Sequence, residues 1–76
     1  MVDILNIIWD GKYAEADLIG DGNTEYSYHI KVDCDKEEVI ENSYGRLNSF
    51  IGHVRNELVH LYREGKQPKK SRVMWY

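Results

Sequence analysis

Cysteine, proline and phenylalanine each occur only once in this chain of 76 residues. Because Cys34 is alone, no disulfide can form within the chain, and a single cysteine is typical of proteins in a reducing cytosol. No apolar run is long enough to span a membrane, and Asp3 interrupts the first run without a basic segment before it. The sequence therefore predicts a cytoplasmic protein with no membrane partner.

Motifs that usually accompany catalysis are also missing. The chain contains no Gly-x-Ser-x-Gly, no phosphate-binding glycine loop, no Gly-x-Gly-x-x-Gly and no Cys-x-x-Cys. Cys34 lies between Asp33 and Asp35, whose carboxylates raise the pKa of a thiol, whereas nucleophilic cysteines need electropositive surroundings. His29 lies five residues earlier, and nothing near it in the sequence orients its ring. We expect a protein that is not an enzyme and that uses no cofactor.

The composition is nevertheless that of a folded protein. Hydrophobic residues make up 42% of the chain, which also holds two Trp and six Tyr. A chain of this length has room for one core, so we expect residues 1–76 to form a single small domain. Such a chain buries only roughly 60% of its unfolded surface, so association with another copy would help to stabilise it.

The first half of the sequence has the pattern of β-strands. The segment VDILNIIW is apolar and β-branched, and the Asp10-Gly11 pair that follows is a strong hairpin signal. A two-residue loop at Asp10-Gly11 would pair Trp9 with Lys12 and would set the register of both strands. One face would then collect Leu5, Ile7, Trp9, Ala14, Ala16 and Leu18.

Two further segments complete this half. After the turn signal GDGN at residues 20–23, apolar residues alternate with polar ones in the manner of a half-buried strand, at Tyr26, Tyr28, Ile30 and Val32. Residues 33–43 fit two structures. We favour a fourth strand at EVIEN, followed by a helix that begins near Ser43 to Arg46. The alternative is a capping box of Asp35 and Glu38 that starts the helix earlier.

A helix is predicted in the second half. Its apolar residues fall within a sector of about 120°, the width of a core-facing stripe: Leu47, Phe50, Ile51, Val54, Leu58, Leu61 and Tyr62. Gly65 and Pro68 predict its end, and SRVMWY has strand composition. The predicted fold class is α+β: an antiparallel β-meander of three to four strands, one long amphipathic helix packed on one face, and a C-terminal strand (ββββαβ or βββαβ).

Charge is divided unequally along the chain. Residues 1–42 hold eleven acids and three bases, whereas residues 43–76 hold two acids and seven bases, within a net charge of −3. The two halves could attract each other inside one fold, which we favour, or form two functional surfaces.

The cations concentrate in a basic segment, residues 63–72. This segment carries Arg63, Lys66, Lys69, Lys70 and Arg72. Such clusters contact phosphates, so nucleic-acid binding through the segment is the alternative function, although the acidic overall balance argues against it. Tyr13, Tyr26 and Tyr28 suggest base stacking only weakly, because acidic residues surround them.

One set of residues has the spacing of metal ligands. His53, Glu57 and His60 follow one another at i, i+4 and i+7, so they share one side of the helix. Imidazole and carboxylate are ligands for zinc or iron. We favour a solvated polar face for these three side chains and expect no metal.

The C-terminus carries the leading functional hypothesis. Met74, Trp75 and Tyr76 put a large apolar surface at the end of the last strand, and aromatic-rich patches are typical of protein contacts. We therefore expect a small protein-interaction or self-associating module, with a homodimer through an edge strand as the specific hypothesis.

Overall fold

The strands and the helix follow one another in the order that the sequence predicts. The computed structural model describes residues 2–20, 27–43, 45 and 49–73, with the backbone alone at 49 and 50. The elements are β1 (Val2–Asp10), β2 (Tyr13–Gly20), β3 (Ser27–Asp33), β4 (Glu38–Asn42), α1 (Ser49–Arg63) and β5 (Ser71–Val73). The strands form one antiparallel sheet in the order β4-β3-β2-β1-β5, and α1 packs on it. The α+β class and its ββββαβ order are confirmed, including the fourth strand.

The β1–β2 turn lies one residue later than predicted. Asp10 pairs with Tyr13, so the two loop residues are Gly11 and Lys12 rather than Asp10 and Gly11. Gly11 has a φ of 59°, as the first central position of a type II′ turn requires. Trp9 therefore pairs with Ala14, and the predicted pairing with Lys12 is wrong.

A β-bulge at Asn6 corrects the predicted face of β1. Leu5 pairs with Asp17 and Ile8 with Glu15, so two residues of β1 lie opposite one residue of β2. Asn6 adopts a φ of 54°, the left-handed region that asparagine tolerates better than most residues. The bulge reverses the alternation of side chains along the strand. Val2 and Ile4 are buried before it and Ile7 after it, while Leu5 turns to the opposite face.

The β3–β4 connection is built around the Asp33 carboxylate. Its Oδ1 accepts hydrogen bonds from the backbone N–H groups of Asp35 and Lys36 at 3.0 and 3.1 Å, and Oδ2 lies 3.5 Å from Lys12 Nζ. These contacts explain why Asp33 is buried although it is charged. The tight turn leads directly into β4, so the capping-box alternative at Asp35 is wrong.

The described part of the helix, α1, starts at Ser49, and the helix ends as predicted. Ser43 lies in a turn and Gly45 has a φ of 79°, so neither is helical, while the later part of the predicted start, at Arg46, lies outside the described residues. At its other end the N–H of Gly65 (φ 72°) bonds Tyr62 O, and the N–H of Lys66 bonds Leu61 O. This pair of bonds is the Schellman motif.

The core forms between α1 and one face of the sheet. The apolar stripe of the helix supplies Ile51, Val54, Leu58 and Leu61, all buried, and Tyr62 is partly buried against the core. Leu47 and the side chain of Phe50 lie outside the described residues. From the sheet, Ile30 and Val32 are fully buried, as the alternation in β3 predicts, and Ile4 of β1 and Leu18 of β2 are fully buried as well.

Substitutions at Asn6 test the role of the bulge. Asn6→Ala places a Cβ-bearing residue without a local hydrogen bond in the left-handed region, at a cost of about 1–2 kcal/mol. Asn6→Gly loses the same side chain but accepts the backbone conformation. We therefore expect the free energy of unfolding in urea to fall more for Asn6→Ala than for Asn6→Gly. Equal losses would show that the backbone conformation at residue 6 is unimportant.

Candidate interaction surface

The helix covers one face of the sheet, and no other described element covers the second face. We call this second surface the open face. Strand alternation places the following residues on it: Asp3, Leu5, Ile8, Tyr13, Glu15, Asp17, Ile19, His29, Lys31, Glu41 and Arg72. Ile8 is 61% exposed there, and Leu5 and Ile19 are half-buried. The open face therefore combines scattered apolar side chains with charges of both signs.

A histidine between two carboxylates lies at the centre of the open face. His29 Nε2 is 2.7 Å from Glu15 Oε1, and His29 Nδ1 is 3.0 Å from Asp17 Oδ1. Asn6 Nδ2 donates a further hydrogen bond to Asp17 Oδ2 at 3.0 Å. The four side chains join β1, β2 and β3, and the bulge at Asn6 brings its amide into the group. We call these residues the His29 cluster.

The geometry of the His29 cluster requires the charged ring. A carboxylate only accepts hydrogen bonds, and a neutral imidazole has one N–H, so only the doubly protonated ring can donate to both acids. Hydrogen bonds to Asp17 and then to Glu15 accordingly raise the pKa of His29 above its ordinary value of 6.5. Hydrogen bonds from His29 and Asn6 lower the pKa of Asp17 below its ordinary value of 3.8.

The stability of the protein should depend on pH through this cluster. The raised pKa of His29 contributes stability that is fully present below pH 6.5 and is lost as the pH rises through the raised value. The lowered pKa of Asp17 contributes stability that is present above pH 3.8 and is lost as the pH falls through the lowered value. The side chains are partly exposed, so the contribution is on the order of 1 kcal/mol or less.

His29→Gln tests this dependence. We expect the difference in melting temperature between the wild type and His29→Gln to be largest from pH 4 to 6.5 and to shrink at alkaline pH. Ser27→Gln changes an exposed residue on the same strand and serves as the control. A difference that stays constant with pH would contradict the charged state of the ring.

Tyr13 lies near two lysines on the same face. Lys12 Nζ and Lys31 Nζ are each 5.4 Å from the centroid of the Tyr13 ring, within the range of cation–π attraction. The nearby Asp33 carboxylate raises the pKa of Lys12. The sequence predicts acidic surroundings for Tyr13, but Lys12 in the turn and Lys31 in β3 place cations beside its ring as well. Tyr28 packs partly buried against the core, and Tyr26 lies outside the described residues.

β5 forms one edge of the sheet and borders a groove. The groove has a volume of about 430 Å³ and is lined by Asp3, Leu5, Lys70, Ser71 and Arg72. Ser71 Oγ donates a hydrogen bond to Glu57 Oε2 at 2.6 Å, which fixes the strand to α1. Before β5, the N–H of Ile7 bonds Lys69 O at 2.8 Å, and Trp9 Nε1 donates to Pro68 O at 2.9 Å.

The structure divides the predicted basic segment into paired and unpaired cations. Arg63 is 2.9 Å from Glu37, Lys66 is 3.6 Å from Glu64, and Arg72 is 2.7 Å from Asp3. The pairs of Arg63 and Arg72 join the two halves of the chain, which agrees with attraction between the halves. Lys69 and Lys70 are exposed and form no ion pair with a described residue.

The three candidate metal ligands take part in other contacts. Glu57 accepts the bond from Ser71, and His60 Nε2 lies 2.8 Å from Glu64 Oε1. His53 is half-buried and also has an interaction of its own. Within residues 2–20, 27–43, 45 and 49–73, no three His, Cys, Asp or Glu side chains are grouped so that they could hold a metal ion.

Cys34 is buried in the core beside Asp33. Burial, and then the Asp33 carboxylate, raise the pKa of Cys34 to about 11, as the flanking acids predict in direction. The thiol is therefore protonated at neutral pH. The predicted partner-binding residues Met74, Trp75 and Tyr76 lie outside the described residues, so a protein contact through them stays a prediction.

The His29 cluster is the feature that sequence reasoning missed. Two acids two residues apart, Glu15 and Asp17, share one face of β2, and His29 has the same outward phase on β3. The ring is oriented across strands, so no neighbour in the sequence indicates it. Finding the cluster requires the β2–β3 register, in which His29 lies opposite Asp17.

Comparisons with known proteins found no match, so a proposal for the function rests on the geometry of the structure. No protein-family model matches the chain, and no curated protein or solved structure matches it either. Among the described residues, no helix is both long and apolar enough to cross a membrane.

Proposed function

We propose that this protein is a non-enzymatic interaction module that associates with another copy through the β5 edge of its sheet. The carrying observation is the position of β5, which pairs with β1 on one side and with no described strand on the other. A strand in that position presents backbone N–H and C=O groups to an added strand. The groove beside it offers a partly apolar floor at Leu5 and cations at Lys70 and Arg72.

The states of Cys34 and His29 support a non-enzymatic function. Cys34 is buried in its protonated thiol form, which is a weaker nucleophile than the thiolate. Both ring nitrogens of His29 are engaged by carboxylates, so the ring has no open position for a substrate proton. These groups contribute to the core and to the sheet, respectively.

Sedimentation equilibrium tests the self-association. Over a series from about 10 µM to about 1 mM, we expect the average mass to rise above that of the monomer, as suits a small interface. Deleting residues 75 and 76 should reduce the association if Trp75 and Tyr76 take part, while circular dichroism checks that the fold is retained. A monomer throughout the series would overturn the proposal.

A second candidate function is nucleic-acid binding through residues 63–72. The exposure of Lys69 and Lys70 without a described acidic partner favours it. If it holds, an immobilised RNA should retain the protein at low salt, and Lys69→Glu with Lys70→Glu should abolish retention. Lys36→Glu with Arg55→Glu changes the net charge equally elsewhere and should leave most of the retention. Equal loss in both double variants would indicate attraction by net charge alone.

A further inference from the structure

We propose that the strand added to β5 is β4 of a second copy, in a parallel pair that repeats from one copy to the next. This inference rests on the proposed self-association and names the surface that the second copy supplies. β4 and β5 are the two edges of the same sheet. Head-to-tail contact between them would join sheets into one continuous sheet.

The β4 edge presents two carboxylates on the open face. Glu38 pairs with Asp33 and Glu41 pairs with Lys31, and the register shifts between Lys31 and Val32. Glu41 lies three positions after Glu38, a spacing that would ordinarily place the two side chains on opposite faces. The irregularity at Ile40 adds one residue and returns both carboxylates to the face of Lys31. Both glutamates are exposed and form no ion pair with a described residue.

The β5 edge presents two cations on that same face. Arg72 Nε donates to Asp3 Oδ1 at 2.7 Å across the open face, and Lys70 lines the groove next to Asp3 and Leu5. Ser71, between them, points to the opposite side, where it bonds Glu57 of the helix. Arg72 uses only its Nε in the contact with Asp3, and a guanidinium has four further N–H groups to donate.

Strand directions fix how two copies can meet. Each neighbouring pair in the sheet is antiparallel, so β4 and β5 run in the same direction within one copy. A second copy displaced across the strands therefore brings its β4 beside β5 in parallel, with both open faces on the same side. In the register that places Glu38 next to Lys70, the parallel direction also brings the carboxylate of Glu41 next to Arg72.

Symmetric pairs are opposed by charge. Two β5 edges that meet with their open faces on one side bring four cations together, and two β4 edges bring four carboxylates together. Like charges on adjacent strands are destabilising. Charge complementarity thus favours the unlike edges, and such a heterologous contact extends into a chain of copies unless it closes into a ring.

Charge reversal at one residue of each edge tests the pairing in the full-length protein. Glu38→Lys and Lys70→Glu each place like charges at the contact, so each should raise the dissociation constant for self-association by roughly threefold to tenfold. An equimolar mixture of the two variants should regain the wild-type average mass, because the wild-type β4 and β5 edges attract each other and the two reversed edges also carry opposite charges. Lys69→Glu is the matched control, since Lys69 changes charge equally but is not among the residues that line the groove.

The outcomes separate this inference from the function on which it rests. Association of the wild type that is insensitive to Glu38→Lys, or that strengthens with Lys70→Glu, would overturn β4–β5 pairing in favour of a β5–β5 dimer, and self-association would stand. Failure of the mixture to recover would also overturn the inference. A wild type that stays monomeric overturns both. Circular dichroism and melting temperature of each variant confirm that the sheet remains folded.

Discussion

The left-handed backbone conformation at Asn6 determines which side chains of β1 face the helix. Without that bulge, the side chains of β1 would alternate between the two faces of the sheet from end to end. Either the pair Val2 and Ile4, or else Ile7, would then point away from the helix. With it, all three are buried. The bulge also places the N–H of Ile7 where it bonds Lys69 O, so the segment after the helix is held against β1 before β5 begins. The closing strand thus depends on one residue near the other end of the chain.

Charged and polar side chains on the open face disfavour the packing of a second layer against it. An uncovered sheet face that was wholly apolar would attract a second layer or a neighbouring molecule across its whole area. Here the His29 cluster occupies the centre, where an imidazolium in β3 offsets part of the charge of two carboxylates in the adjacent strand β2. Cross-strand pairs of opposite charge contribute to pairing of β2 with β3, while exposure to water limits their strength. Two apolar residues of this face, Leu5 and Ile8, lie opposite the Asp17 and Glu15 carboxylates of the cluster.

The sequence allowed the order and type of the elements to be predicted because each depends on a local pattern. The helix stripe, the Gly65 cap and the alternation in β3 all come from neighbours within a few residues. Register does not. The bulge at Asn6 places Leu5 on the face opposite to the predicted one, and the shift of the first turn to Gly11 and Lys12 gives Trp9 a different cross-strand partner, so local hairpin rules do not predict either feature. The His29 cluster was missed for the same reason, since its members meet only through register.

The unequal charge of the two halves becomes a lateral asymmetry of the sheet. Two ion pairs between the halves, Arg63 with Glu37 and Arg72 with Asp3, show that part of the charge is neutralised inside the fold. Topology decides where the remainder lies, because β4 closes the acidic half at one edge and β5 closes the basic half at the other. Charged edges discourage a sheet from pairing with its own kind. When the two edges carry charges of opposite sign, repulsion opposes contact only between two β4 edges or between two β5 edges. The same charges favour contact between a β4 edge and a β5 edge.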